Sequence, residues 1–188
     1  MKPFYQGKLD VFCAMYAVLN GLQLTHGLRT VRARDILHET LMALAMNPES
    51  LRAVLEQRTD YLALVDGMLH TQAHTWPLDI HIPFQGAAHA PTPHTFWQTC
   101  QDFMHGGHNR TILFRFLRFM FADAAPLNRH WTAVEWIRGN TLHLFDCSHE
   151  AAAVLNFSPD SFVTRPEDVS PECLLCVEPR TVRFIAAK

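Results

Sequence analysis

Apolar residues recur at helical spacing in the first third of the chain, and apolar and polar residues alternate through much of the remainder. Phe12, Met15, Tyr16 and Leu19 form one stripe of a helix, with Asp10 as its expected N-cap and Asn20-Gly21 as its expected stop. Residues 23–29 read as a connector. A second helix is expected over 30–46, ended by Asn47-Pro48, because the residue before a proline is biased out of the helical region. Residues 50–58 and 60–70 predict two more helices, with Thr59 as the cap between them.

At Trp76 the texture changes. Residues 78–84 alternate like a half-exposed strand, and 85–93 form a loop rich in Gly, Ala and Pro. Residues 94–105 predict a helix stopped by Gly106-Gly107, and 111–117 a strand. Residues 123–129 are a polar loop. Pro159, Pro166 and Pro171 punctuate a loop-rich region, and 173–177 and 182–185 are the last strands. Helices followed by a mostly antiparallel sheet make an α+β pattern. With no internal repeat, linker or low-complexity segment, residues 1–188 read as a single domain, long enough to bury a substantial core.

Residues 130–146 predict a β-hairpin, two runs rich in β-branched and aromatic residues around Arg138-Gly139-Asn140. A two-residue loop pairs Val134 with Phe145 and Trp136 with His143, mixing the faces. A three-residue loop over 138–140 pairs Val134 with Leu144 and Trp136 with Leu142, giving one apolar face, and is the expected register. It places His130, Thr132 and Asp146 on that same face, with the imidazole and the carboxylate diagonal neighbours. Cys147 then falls on the opposite face.

The Asp10 cap makes Cys13 the third residue of its helix, where the positive end of the dipole favours a thiolate. Gln6 lies close enough upstream to place its amide beside the thiol and form an oxyanion hole with the Cys13 backbone N–H. A cysteine at a helix start, a histidine and an orienting carboxylate are the parts of an activated thiol nucleophile.

Gln6, Cys13 on a helix, His130 at the start of a strand and Asp146 at the end of the next resemble the papain-like cysteine peptidases, nearest to the C39-like branch. Asp10-Val11-Phe12-Cys13-Ala14 stands where that branch has a tight Asp-Cys-Gly, and the interval from Gln6 to Cys13 is one residue longer than usual. The resemblance implies an N-terminal helical part carrying Cys13 packed on a mostly antiparallel sheet carrying His130, with the cleft between them. It implies a thiol hydrolase, most often a peptidase on peptide or protein substrates, with Cys13, His130, Asp146 and Gln6 as catalytic residues and no cofactor. Deamidation, transglutamination or amide hydrolysis would use the same parts. A non-catalytic binding domain on this fold is the alternative of another class.

Composition narrows the partners. Hydrophobic residues are 48% and charged residues 18%, the balance of a globular chain, and the net charge of −2 gives no electrostatic case for nucleic acid. Lys2, Pro3, Lys8 and Asp10 interrupt any leader-like apolar run, and Arg115 and Arg118 break the most hydrophobic stretch, 112–121, so neither a signal peptide nor a membrane span is expected. Five irregularly spaced cysteines suit a reducing cytoplasm better than a disulfide framework.

Other constellations compete. Twelve histidines raise the question of a metal; His70 and His74 share a helix face and Asp79 and His81 a strand face, but Thr71 follows His70 where an HExxH motif needs glutamate. No metal is therefore assigned. Cys173 and Cys176 have CxxC spacing, but strand geometry turns their side chains to opposite faces, and core packing is expected for both and for Cys100. Trp131 is read either as a shield for the His130–Asp146 pair or as an ordinary sheet aromatic. His143 is expected to be solvated and Ser148 to end a strand.

Overall fold

The structure, a computed structural model, describes residues 1–6, 11–148 and 155–188. It is α+β, with five helices and a mostly antiparallel open sheet of seven strands among the described residues. No helix there is long and apolar enough to cross a membrane.

Helix α1 (Cys13–His26) is buried over most of its circumference, between the sheet and helix α4 (Tyr61–Ala73). Its expected stop at Asn20-Gly21 does not occur. Asn20 is fully buried, and its side chain accepts from the Phe4 N–H (2.7 Å) and donates to the carbonyls of Phe4 (3.3 Å) and Phe145 (3.5 Å). Gly21 lets the helix approach the sheet, since a Cβ there would lie 3.1 Å from Leu113 Cδ2. The residues read as a terminator are thus a tether and a contact point. The helix runs on through part of the expected connector to Gly27, whose left-handed φ of +67° and N–H to Gln23 carbonyl bond (2.9 Å) close it. The expected Asp10 cap lies outside the described residues. Cys13 is the first helical residue, not the third, and follows Phe12.

Helix α2 (Thr30–Ala45) buries little beyond Ala33 and Ile36. Asn47 caps α3 (Pro48–Leu55), accepting from the N–H groups of Glu49 and Ser50, with Pro48 in the first turn, where its missing N–H costs nothing. Asp60, not Thr59, caps α4 through the N–H groups of Leu62 and Ala63, its carboxylate also favoured by the helix dipole. Thr92 caps α5 (Pro93–His105).

The strands are β1 (Leu78–His81), β2 (Arg110–Arg118), β3 (Asn128–Arg138), β4 (Thr141–Phe145), β5 (Asn156–Phe157), β6 (Leu175–Val177) and β7 (Arg183–Ala187). They lie in the order β1-β7-β2-β3-β4-β5, with β6 beside the far end of β2. The sheet separates two cores. On one face α1 and α4 cover Leu113, Trp131, Ala133, Phe145 and Ile185. On the other, α5 packs Phe96, Trp97 and Cys100 against Ile112, Phe114, Phe116 and Val134. Apolar residues on both faces explain why β2 reads as one continuous apolar run rather than an alternation.

The β3–β4 hairpin departs from the expected register. Val134 does pair with Leu144, but the loop is the two residues Gly139 and Asn140, and Trp136 pairs with His143. A bulge at Glu135 accounts for the difference by inserting one residue into β3 opposite none in β4. Ile137, not Trp136, therefore joins Val134, Leu142 and Leu144 in the core, while Trp136 stacks on His143 (centroids 4.8 Å apart).

Candidate active site

His130 is placed by the sheet. It sits opposite Phe116 in the β2–β3 register, and the two rings meet edge to face at 5.5 Å. The last β3–β4 pair is Ala133 with Phe145, so Asp146 leaves β4 level with Thr132 and on the His130 side. His130 Nε2 is 2.8 Å from Asp146 Oδ2, and Asp146 Oδ1 accepts the Ser148 N–H at 2.8 Å. Thr132 stands beside the carboxylate, which is 3% exposed, and helps to lower its pKa. Both carboxylate oxygens are thereby fixed, and with them the plane of the imidazole.

The electrostatics follow. Burial opposes a charged imidazole at His130, but the Asp146 carboxylate and the nearby Cys13 and Cys147 thiols outweigh it and raise its pKa well above the ordinary histidine value. Burial also opposes the Asp146 carboxylate, and His130, Thr132 and the Ser148 N–H outweigh it, lowering that pKa. The pair is held as imidazolium and carboxylate.

Cys13 comes to this pair from the start of α1, near enough to the imidazole to contribute to raising its pKa. The two line one cleft of about 330 Å³ together with Gln6, Tyr61, Arg115 and Arg129. The route differs from the expected one. The body of α1 packs on the Trp131, Ala133 and Phe145 face, not on the Val134 face that carries His130, so thiol and imidazole meet at the first residues of β3. Trp131, 1% exposed on the α1 side, is core to the sheet and reaches the wall of the cleft. Arg115, held by Glu178, also lines a larger hollow of about 530 Å³ between Phe84 and Thr181.

Gln6 and Cys147 complete the cluster. The Gln6 backbone N–H donates to the Cys147 carbonyl (2.9 Å), and the Cys147 thiol donates to Gln6 Oε1 (3.5 Å). Cys147 Sγ is also 3.9 Å from His130 Nε2. The expected placement of Cys147 away from His130 is therefore corrected. β4 ends at Phe145, so strand alternation does not govern the side chain of Cys147. Burial pushes the Cys147 pKa up to about 11, against the lowering effect of His130. Ser148 Oγ is 3.5 Å from His130 Nε2, a further neighbour not expected of a strand-end residue. The available signal for both was their position directly after Asp146.

The remaining candidates stand apart. His70 and His74 touch edge to face (5.5 Å), but among the described residues no third ligating side chain joins them. The three described residues whose ligand atoms do lie within 4.8 Å of one another are His130, Asp146 and Cys147, a nitrogen, oxygen and sulfur set of the kind zinc takes. Its imidazole and carboxylate are already paired with each other. Cys173 and Cys176 point at separate carbonyls, Leu175 and Val177, and Cys100 is fully buried under α5. His143 is not simply solvated, for it bonds Asn156 (2.7 Å) besides stacking on Trp136.

No protein-family model matches the chain, and no curated protein matches it in sequence.

Proposed function

We propose that the protein is a thiol hydrolase of the papain-like type, a cysteine peptidase acting on a peptide or protein. One observation carries the reading: Cys13, at a helix start, lines one cleft with a histidine that a buried aspartate holds in place. The helical part carrying the thiol and the sheet carrying the imidazole also agree with that architecture.

The steps follow from the geometry. With Nε2–H directed at Asp146, the other ring nitrogen serves the thiol. Cys13 Sγ attacks the carbonyl carbon, and its proton rests on His130. The oxygen of the tetrahedral adduct takes its charge beside the Gln6 amide and the Cys13 backbone N–H. The adduct collapses to a thioester as His130 protonates the leaving amine. Water, deprotonated by His130, then releases the acid and restores the thiol. Asp146 keeps the tautomer and stabilises the imidazolium throughout.

Incubation of the purified protein with a mixed peptide library in ¹⁸O-water tests this. Peptide hydrolysis leaves ¹⁸O at new C-termini, whereas deamidation leaves it on former glutamine or asparagine side chains. The expected result is new C-termini absent with Cys13→Ala. Side-chain label alone would replace peptidase by deamidase. Neither product above the Cys13→Ala background would overturn the hydrolase reading.

A further inference from the structure

The Cys147 thiol takes part in none of those steps, yet it is 1% exposed and touches two members of the site. Its residue holds Gln6 at both ends: the carbonyl takes the Gln6 backbone N–H at 2.9 Å, and the thiol reaches Gln6 Oε1 at 3.5 Å. The first contact fixes where Gln6 stands, and the second fixes which way its amide is turned. That orientation matters, because an oxyanion is stabilised by the N–H end of an amide and repelled by its oxygen. The choice of acceptor is also determined. His130 Nε2 lies farther from the sulfur, at 3.9 Å, and is directed at Asp146 Oδ2 at 2.8 Å, so the S–H goes to Gln6.

We propose that Cys147 is a positioning residue. Its thiol anchors Gln6 Oε1 and thereby turns the N–H end of that amide toward the oxyanion formed at Cys13. The inference rests on the thiol-hydrolase reading and adds to it the residue that orients the oxyanion donor.

Two reagents separate this role from others, with labelling of Cys13 followed by peptide mass spectrometry on the full chain. 4-Nitrophenyl acetate reacts through a tetrahedral oxyanion: sulfur bonds the carbonyl carbon, the proton of the thiol stays on His130, and 4-nitrophenolate leaves. Iodoacetamide reacts by displacement of iodide at a saturated carbon, with no oxyanion. Cys147→Ala is expected to slow acylation about tenfold, the scale of one lost hydrogen bond, and to slow alkylation far less. Cys147→Ser, which keeps an O–H donor, should recover most of the acylation. In a Gln6→Ala background Cys147→Ala should have no further effect, as expected for residues acting as one unit. Wild-type acylation by Cys147→Ala would overturn the proposal. So would equal losses of acylation and alkylation, which place the effect on His130 or on the fold, and so would an effect that persists without Gln6. A different result, wild-type Cys13 reacting with both reagents no faster than Cys173, would overturn the hydrolase reading and take this inference with it.

Discussion

His130 Nε2 and Asp146 Oδ2 lie 2.8 Å apart at the open end of a hairpin, and the carboxylate is almost completely buried. A buried pair of this kind is costly to break from one side, because the remaining partner loses its compensation. It therefore couples the chemistry of the site to the stability of the sheet.

Asp146→Asn is expected to destabilise the protein by about 3 kcal/mol near pH 5–6. Asp146 has a lowered folded pKa, so its contribution is present above the unfolded value of about 3.9 and is lost as pH falls through the folded value. His130 has a raised folded pKa, so its contribution is full below about 6.5 and declines as pH rises toward the folded value. The gap in melting temperature between wild type and Asp146→Asn should be widest between those two limits and shrink on both sides. Thermal melts at a series of pH values check this; a gap independent of pH would mean that the two groups do not act as a charged pair.

Cys13→Ser should keep the fold and lose hydrolysis by orders of magnitude, since a hydroxyl beside the same imidazole is a far weaker nucleophile. Melting temperature and peptide turnover, measured together, separate the two effects. Near-native turnover would reduce Cys13 to a packing residue.

Asn20→Ala should cost about 1–3 kcal/mol, because it leaves the part-buried Phe4 N–H without its acceptor on the fully buried Asn20 side chain. It should also loosen residues 1–6 and with them Gln6. Amide exchange at Phe4 reads the second effect directly; unchanged protection there would show that Gln23, which donates to the Lys2 carbonyl at 3.1 Å, holds the arm alone.

Most elements were legible because their signals are local. The helices expected over 50–58 and 94–105, found at Pro48–Leu55 and Pro93–His105, the run of β2 and both strands of the hairpin are written in periodicity and breakers. Cys13, His130 and Asp146 stood out because each reactive type sits at an element end, and the structure brings them together. What the sequence hid was non-local. Asn20-Gly21 has the composition of a helix stop, and only packing against Phe4 and Leu113 makes it a helix interior. Trp136 and Ile137 are both apolar, so alternation continues equally well through either and a bulge between two consistent halves leaves no trace. Cys147 was misplaced because nothing in the alternation marks where a strand lets go.

The bulge at Glu135 also sets which errors of length this hairpin survives. Val134 faces Leu144 on one side of it and Trp136 faces His143 on the other, so removing Glu135 alone brings two already matched halves into direct succession. Every cross-strand pair and both faces are retained. Removing Ala133 instead uses up the bulge by moving Glu135 opposite Leu144 and Val134 opposite Phe145, which exchanges the sides of both and turns a carboxylate into the core. A single-codon deletion scan along β3 should therefore show one tolerated gap in an intolerant strand, at Glu135, read as soluble yield and melting temperature. A deletion of Glu135 as damaging as that of Ala133 would mean that the added twist of the bulge, and not the pairing alone, is needed to bring His130 to Asp146.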